Sequence, residues 1–214
     1  MPVHYAVQAQ VIDLRTDTPA AGEAFFVDTN VWLWTTYANA TQRVSPQRRQ
    51  QLTACTGYLQ RCQRIGAQLH WCGLALSELA HQIESAERDV WNATERAARR
   101  AECNAKEFRH NFPNERANVV QEIENAWRSV EALATVLPAA LVVGGPATTQ
   151  ALVELKTCAL DGYDPFFLQD ARASGVTHII SDDGAFCGGP EITLFTSNRS
   201  VLDAARAQGN LLVR

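Results

Sequence analysis

The stretch Phe25-Phe26-Val27-Asp28-Thr29-Asn30-Val31 constrains the fold most strongly. An apolar run stops abruptly at an acid, and two small polar residues lead into Val31-Trp32-Leu33-Trp34. This pattern predicts a buried strand that delivers Asp28 at its carboxyl end and passes at once into a helix. In open α/β sheets, that end of the strands is where ligands bind. Three later acids, Glu78, Asp164 and Asp182, also fall where a strand ends or a helix begins.

Further strands are expected at Leu69–Cys72, Thr177–Ile180 and Ile192–Phe195, and a last one at Leu211–Val213. The weak alternation from His4 to Leu14 reads as an extra edge strand. Ser45-Pro46 supplies a capping hydroxyl followed by proline, and predicts a helix to about Ile65 that Gly66 stops. Past Gly73 a helix carries Leu76, Leu79, Ala80, Ile83 and Val90 inward and runs to about His110. Asn111-Phe112-Pro113 breaks it, because the residue before a proline avoids helix. A second long helix, Asn114 to Val136, buries Val119, Val120, Ile123, Trp127, Val130 and Leu133. Thr148 or Thr149 caps a helix to about Ala159, Asp164-Pro165 opens one to Ala173, and Asn198 to Ala207 forms another. Strands alternating with helices imply βαβ units with right-handed crossovers. The expectation is one domain over residues 1–214 of three-layer α/β/α class. It has a central, mostly parallel sheet and a helical insertion over about 84–136.

The chain has 214 residues, 46% of them hydrophobic and 20% charged, which suits a globular domain. A formal net charge of -4 carries no global sign of nucleic-acid binding, yet it tolerates a local cluster of acids that holds cations. The six cysteines form no C-x-x-C pair, no charged and then apolar leader precedes them, and no apolar run reaches spanning length. Reduced thiols, a cytoplasmic location and no membrane partner are expected.

Each acid has an ordinary reading. Asp28 and Asp164 stand where helix caps stand. Glu78 favours the dipole of a first helical turn. Asp182-Asp183-Gly184 makes a turn, and alternation does not decide which aspartate faces inward. Asp161 competes with Asp164. Taken together the acids say more. Clustered carboxylates are hard to keep ionised unless cations neutralise them. A donor set of oxygens, without imidazole or thiolate, selects Mg²⁺ or Mn²⁺. A pair of such ions about 3.5–4 Å apart can activate water and clamp the leaving oxygen of a phosphodiester.

The stretches Phe26-Val27-Asp28-Thr29-Asn30-Val31, Leu76-Ser77-Glu78-Leu79, Asp164-Pro165-Phe166-Phe167 with Ala171 and Gly175, and His178-Ile179-Ile180-Ser181-Asp182 together resemble the PIN domain family. This is the metal-dependent ribonuclease fold of VapC-type toxins and RNA-processing nucleases. The likeness runs from Phe25 to about Phe195, although the helices between Glu78 and Asp164 are longer than in compact VapC-like toxins. It implies an endoribonuclease acting on single-stranded RNA. Asp28, Asp164 and Asp182 would hold Mg²⁺ or Mn²⁺, and Glu78 would ligate a cation or position the attacking water. Asn30, Ser181 and Asp183 would support them. It also implies an antitoxin or a second copy of the chain as protein partner. The alternative is a non-catalytic module of the same fold that binds RNA or a protein.

On the helix expected to reach His110, Arg88, Arg99 and Lys106 share one face and Arg96 lies between them in sequence, a stripe able to meet phosphates. Glu84, Glu95 and Glu102 each precede Arg88, Arg99 and Lys106 by four residues, the spacing of stabilising pairs on an exposed helix. Trp32, Trp34, Trp91 and Trp127 are able to stack on bases, but their helical spacing suits a core. The nuclease reading requires Asp28 and Asp182 to share one hollow, with neither buried against an arginine.

Overall fold

The computed structural model describes residues 3–40, 44–95, 102–139 and 144–214. In chain order the elements are β1 (Gln10–Asp13), β2 (Ala24–Val27), α1 (Thr29–Thr36), α2 (Pro46–Ile65), β3 (Gln68–Trp71), α3 (Leu74–Glu95), α4 (Ala105–Asn111), α5 (Pro113–Leu133), β4 (Thr135–Val136), α6 (Gly145–Thr157), α7 (Asp164–Ala173), β5 (His178–Ile180), a 3-10 turn at Ala185–Gly188, β6 (Thr193–Thr196), α8 (Arg199–Gln208) and β7 (Leu211–Leu212). The seven strands among the described residues form one sheet in the order β4-β3-β2-β5-β6-β1-β7. Every pairing in it is parallel.

Alternation along the strands builds the layers. Phe26, Ile179 and Leu194 face one side and pack on Phe167, Leu168 and Ala171 of α7 and on Val201, Leu202 and Ala205 of α8. Their neighbours Phe25, Val27, Ile180 and Phe195 face the other side. There they meet α1 (Val31, Trp32), α2 (Tyr58, Leu59), α3 (Leu79, Ile83) and α5 (Ala126, Val130). A parallel sheet covered on both faces is the three-layer α/β/α class expected. Phe25 anchors the second layer, with its ring edge-on to Phe195 at 5.1 Å and to Tyr58 at 5.9 Å.

Local signals were obeyed at several ends. The Ser45 side chain accepts from the Arg48 backbone N–H, and Gly66 closes α2 at φ 80°. Pro113 opens α5 immediately after Phe112. Elsewhere the structure departs from expectation. β1 is not an edge strand; it lies between β6 and β7. The expected helix to Val136 ends at Leu133, and Thr135–Val136 instead adds β4 beside β3. Gly144, rather than Thr148 or Thr149, stands at the cap of α6. Leu76 and Val120 are more than a third exposed instead of inward-facing.

The helix expected to reach His110 is interrupted. Asn104 is extended, and its side chain accepts from the N–H groups of Lys106 and Glu107 while Glu107 returns a bond to Asn104, a capping box that starts α4. Arg88 and Lys106 therefore do not share a helix face, and Glu102 cannot pair with Lys106 along one helix. Glu84 is buried and takes Arg109 and Arg116 rather than Arg88. Arg109 Nε donates to it at 2.7 Å and Arg116 Nη1 at 2.9 Å, which ties α3 to α4 and α5. Trp91 packs on Phe108 and Phe112 in a small core within this arm. Glu84→Ala should destabilise the protein by about 1–3 kcal/mol, the scale for losing charge-assisted bonds. Limited proteolysis should show faster cutting between residues 102 and 116, and an unchanged rate there would remove Glu84 as the tie.

Candidate metal centre at the carboxyl edge of the sheet

Asp28 leaves β2 at the cap position of α1 but makes no cap bond. Its buried carboxylate turns to the neighbouring strand, where Ser181 Oγ donates to Oδ2 at 2.6 Å. Ser181 is fully buried just past β5. Its Oγ accepts from the Asp183 N–H at 2.9 Å and from Asn30 Nδ2 at 3.5 Å. The single hydroxyl hydrogen thus goes to Asp28 and both lone pairs are filled, which fixes the carboxylate.

Asp164 opens α7 and likewise does not cap it. Its carboxylate is buried and accepts one long bond, 3.4 Å, from the Asp161 N–H. Asp161 itself is exposed, so of the two competitors Asp164 is the interior acid. Glu78, in the second turn of α3, accepts from Gln82 Nε2 at 3.0 Å through Oε1. Its Oε2 is buried and faces the Thr29 hydroxyl, and Asn30 Oδ1, two residues after Asp28, is buried without a partner.

These carboxylates feel one another. Burial raises the Asp28 pKa well above the usual carboxylate range; Asp164, Glu78 and Asp183 raise it further, and Ser181 opposes them. Asp164 is pushed up to about 8, first by burial and then by Asp183, Asp161 and Glu78, against the Asp161 backbone bond. Burial also raises Glu78, with Asp161 and Asp183 adding to it and the Thr29 hydroxyl and Gln82 opposing. Buried acids that raise one another's pKa are candidates for holding a cation.

Asp182 differs from these acids in having a cationic partner. It is buried against Arg48 in an ion pair, accepts from Ser197 Oγ at 3.3 Å, and receives Asn198 Nδ2 on its carbonyl at 3.2 Å. Arg48 in turn lies over the Trp34 ring, 5.7 Å from its centroid. The condition that neither Asp28 nor Asp182 be buried against an arginine therefore fails at Asp182, and the nuclease reading in the form that uses Asp182 falls with it. The adjacent Asp183 is exposed, accepts from the Ala185 N–H at 2.9 Å, and is the aspartate whose charge reaches Asp28, Asp164 and Glu78. Chain direction changes between Ser181 and Asp183, so strand alternation gave no means of choosing between them.

Among the described residues, no three His, Cys, Asp or Glu side chains form a ready-made cation cage. The donors nevertheless suit a hard cation. They are oxygens throughout, and the buried Asn30 Oδ1 lacks a partner. Thr29, Arg48 and Ser197 were missed as neighbours of the site; Thr29 was legible as the residue after a strand-end acid, whereas Arg48 and Ser197 are distant in sequence.

Arg88 and Lys106, the described members of the expected stripe, lie on separate helices. Arg88 is half-buried and bonded to Ser85 and Asp89 on its own helix. Arg96 and Arg99 lie outside the described residues. Trp32 is fully buried, and Trp71 stacks edge-on to Trp127 at 4.9 Å. All six cysteines are buried and unpaired. No described helix is long and apolar enough to cross a membrane. Comparison with protein-family models and with curated proteins gives no match to this chain.

Proposed function

We propose that the chain is a divalent-cation-dependent endoribonuclease acting on single-stranded RNA, with the acid arrangement of a PIN-like site in which Asp183 takes the place first given to Asp182. The observation that carries this reading is the burial of Asp28 and Asp164 at one sheet edge, within reach of the charges of Glu78 and Asp183 and beside the partnerless Asn30 Oδ1. Asp28, Asp164 and Asp183 would hold Mg²⁺ or Mn²⁺. Such cations, when bound, neutralise the carboxylates, acidify water and offset the charge that grows on the phosphate. Ser181 holds the Asp28 carboxylate in one orientation. Glu78 would accept a hydrogen bond from the attacking water and aim it. An antitoxin or a second copy of the chain is a partner that only the family resemblance supports.

The second reading, a non-catalytic module, is favoured by one observation: Asp182 is neutralised by Arg48 without any cation. Titration calorimetry with Mn²⁺ and cleavage of a single-stranded oligoribonucleotide separate the two. Asp28→Asn should abolish Mn²⁺ binding and lower cleavage on the order of 10³-fold or more, the scale for losing a central electrostatic group. Asp183→Asn should weaken Mn²⁺ binding while Asp182→Asn keeps it. The reverse order would restore Asp182 to the site, and a wild type that neither binds Mn²⁺ nor cleaves RNA would leave the binding module.

A further inference from the structure

The carboxyl edge of the sheet does not end at the acids. Beyond β5, where β6 and β1 finish, lies a cavity of about 310 Å³ lined by Arg15, Gln50, Gln51, Ser197 and Arg199. None of these residues is acidic. Arg15 is held by Asp13, which accepts from its Nε at 2.8 Å and from its Nη2 at 2.6 Å. That grip fixes the guanidinium plane and offsets part of its charge through Nε and Nη2, without using Nη1. The Ser197 hydroxyl reaches Gln51 O at 3.1 Å and Asp182 Oδ1 at 3.3 Å, so the cavity wall is continuous with the Asp182 loop and hence with the acid site.

One helix begins here with the wrong charge for its own stability. Arg199 is the first residue of α8, whose first turn contains no acid. A cation at a helix N-terminus opposes the macrodipole, so Arg199 weakens the helix that carries it. Arg48, at the opening of α2, is already paired with Asp182 and adds no charge to the cavity. An arginine placed against local preference, beside the Arg15 guanidinium and the Gln50 and Gln51 amides in one polar cavity, is an arrangement that suits a phosphate.

We propose that this cavity binds a backbone phosphate of the RNA strand, on the nucleotides flanking the bond to be cut. The inference rests on the nuclease reading for its ligand and extends it, because it gives the substrate a second point of attachment along the same sheet edge. Acids and cations would meet the scissile phosphate at β2 and β5. Arginine and amide donors would meet a neighbouring phosphate at β6 and β1. Spacing two phosphates along one edge orients the strand without reading its bases.

The test measures binding of a fluorescent single-stranded oligoribonucleotide to the full chain, with Asp28→Asn as background to prevent cleavage. Adding Arg199→Ala should weaken binding about tenfold and lower the slope of log K against log[salt] by about 0.7, the value for one phosphate contact on a single strand. Its melting temperature should be unchanged or higher, since an unfavourable charge has left the start of α8. Unaltered affinity and slope would overturn the cavity as a phosphate site. Mn²⁺ calorimetry on the otherwise wild-type chain reports separately on the acid site. Absent Mn²⁺ binding with Arg199-dependent oligonucleotide binding overturns the nuclease reading and keeps this one. Intact Mn²⁺ binding with no effect at Arg199 does the opposite.

Discussion

Asp164→Asn should make the cation-free protein more stable at pH 8 to 9 and should make it inactive. The carboxyl group of Asp164 is buried and has a pKa near 8, against an ordinary value of 3.8. A folded-state pKa raised above the unfolded one gives a contribution that is complete below the unfolded value and is lost as pH rises through the folded value. The wild type without cations should therefore lose stability between about pH 4 and pH 8. The ceiling for this group is about 5 kcal/mol, from a shift of roughly four units at 1.36 kcal/mol each. Asparagine keeps the shape and cannot ionise, so the variant escapes that loss. Its advantage over wild type should be greatest above pH 8 and should vanish near pH 4. Mn²⁺ should reverse the ranking: at a concentration of 100 times Kd it adds about 2.7 kcal/mol to a protein that binds it, and little to one that does not. Urea unfolding across pH 5–9, with EDTA or Mn²⁺, measures all of this. A variant less stable than wild type in EDTA at pH 8.5 would mean that Asp164 is a structural acid and that no repulsive cluster exists.

That trade of stability for charge also explains what the sequence could reveal. Asp28 and Asp164 occupy helix-cap positions, and a cap was their simplest local reading. The structure spends neither on capping. Their convergence was legible because each follows an apolar or turn segment that the parallel topology must bring to one edge. The strands β2, β5 and β6 were legible for the same reason: Phe25-Phe26-Val27, Ile179-Ile180 and Leu194-Phe195 are apolar on both faces and can only be central. β4 was not legible, since it has two residues, both exposed, and exists only because β3 offers an edge. β1 looked like an edge strand because weak alternation says nothing about which neighbours a strand will find. The break before α4 carried a readable signal in Asn104-x-x-Glu107, which alanine-rich sequence on the N-terminal side obscured. The partnership of Asp182 with Arg48 spans 134 residues and leaves no trace in either local pattern.

The Arg48 pair also fixes how the two halves of the edge communicate. It joins the start of α2 to the loop that carries Asp183, while Ser197 joins that loop to β6. The acid site and the arginine-lined cavity are thus two sides of one loop rather than separate features. Cation binding on one side and phosphate binding on the other should each order the Asp182-Asp183 turn.

Removing the Arg214 side chain should produce the largest loss of stability among exposed or half-exposed positions. Arg214 Nε donates to Asp17 Oδ1 at 2.6 Å and Nη2 to Asp17 Oδ2 at 3.0 Å; the same guanidinium pairs with Glu23 and lies 4.9 Å from the centroid of Phe195. The Asp17 side chain is wholly buried, and its other partners are the Tyr58 hydroxyl, which donates at 2.5 Å, and the Thr18 backbone N–H. Arg214→Ala leaves that charge with neutral donors alone. Losing one partner of a buried pair costs about 3–5 kcal/mol, and the lower figure applies because Arg214 is itself 34% exposed. Burial disfavours the charged Asp17, but Arg214 and Tyr58 outweigh it and hold its pKa below the ordinary value. A depressed pKa gives stability that is present above the unfolded value and is lost as pH falls through the folded one. The difference between wild type and Arg214→Ala should therefore be full at pH 7 and should shrink below about pH 4. Asp17→Asn should recover part of the loss in the Arg214→Ala background, and a double-mutant cycle by urea unfolding gives the coupling. Strictly additive losses would mean that the pair contributes nothing beyond the packing of each side chain. Because Tyr58 also braces Phe25, three residues before Asp28, a real coupling should appear a second time as weaker Mn²⁺ binding in Arg214→Ala, although Arg214 touches none of the acids proposed to hold the ion.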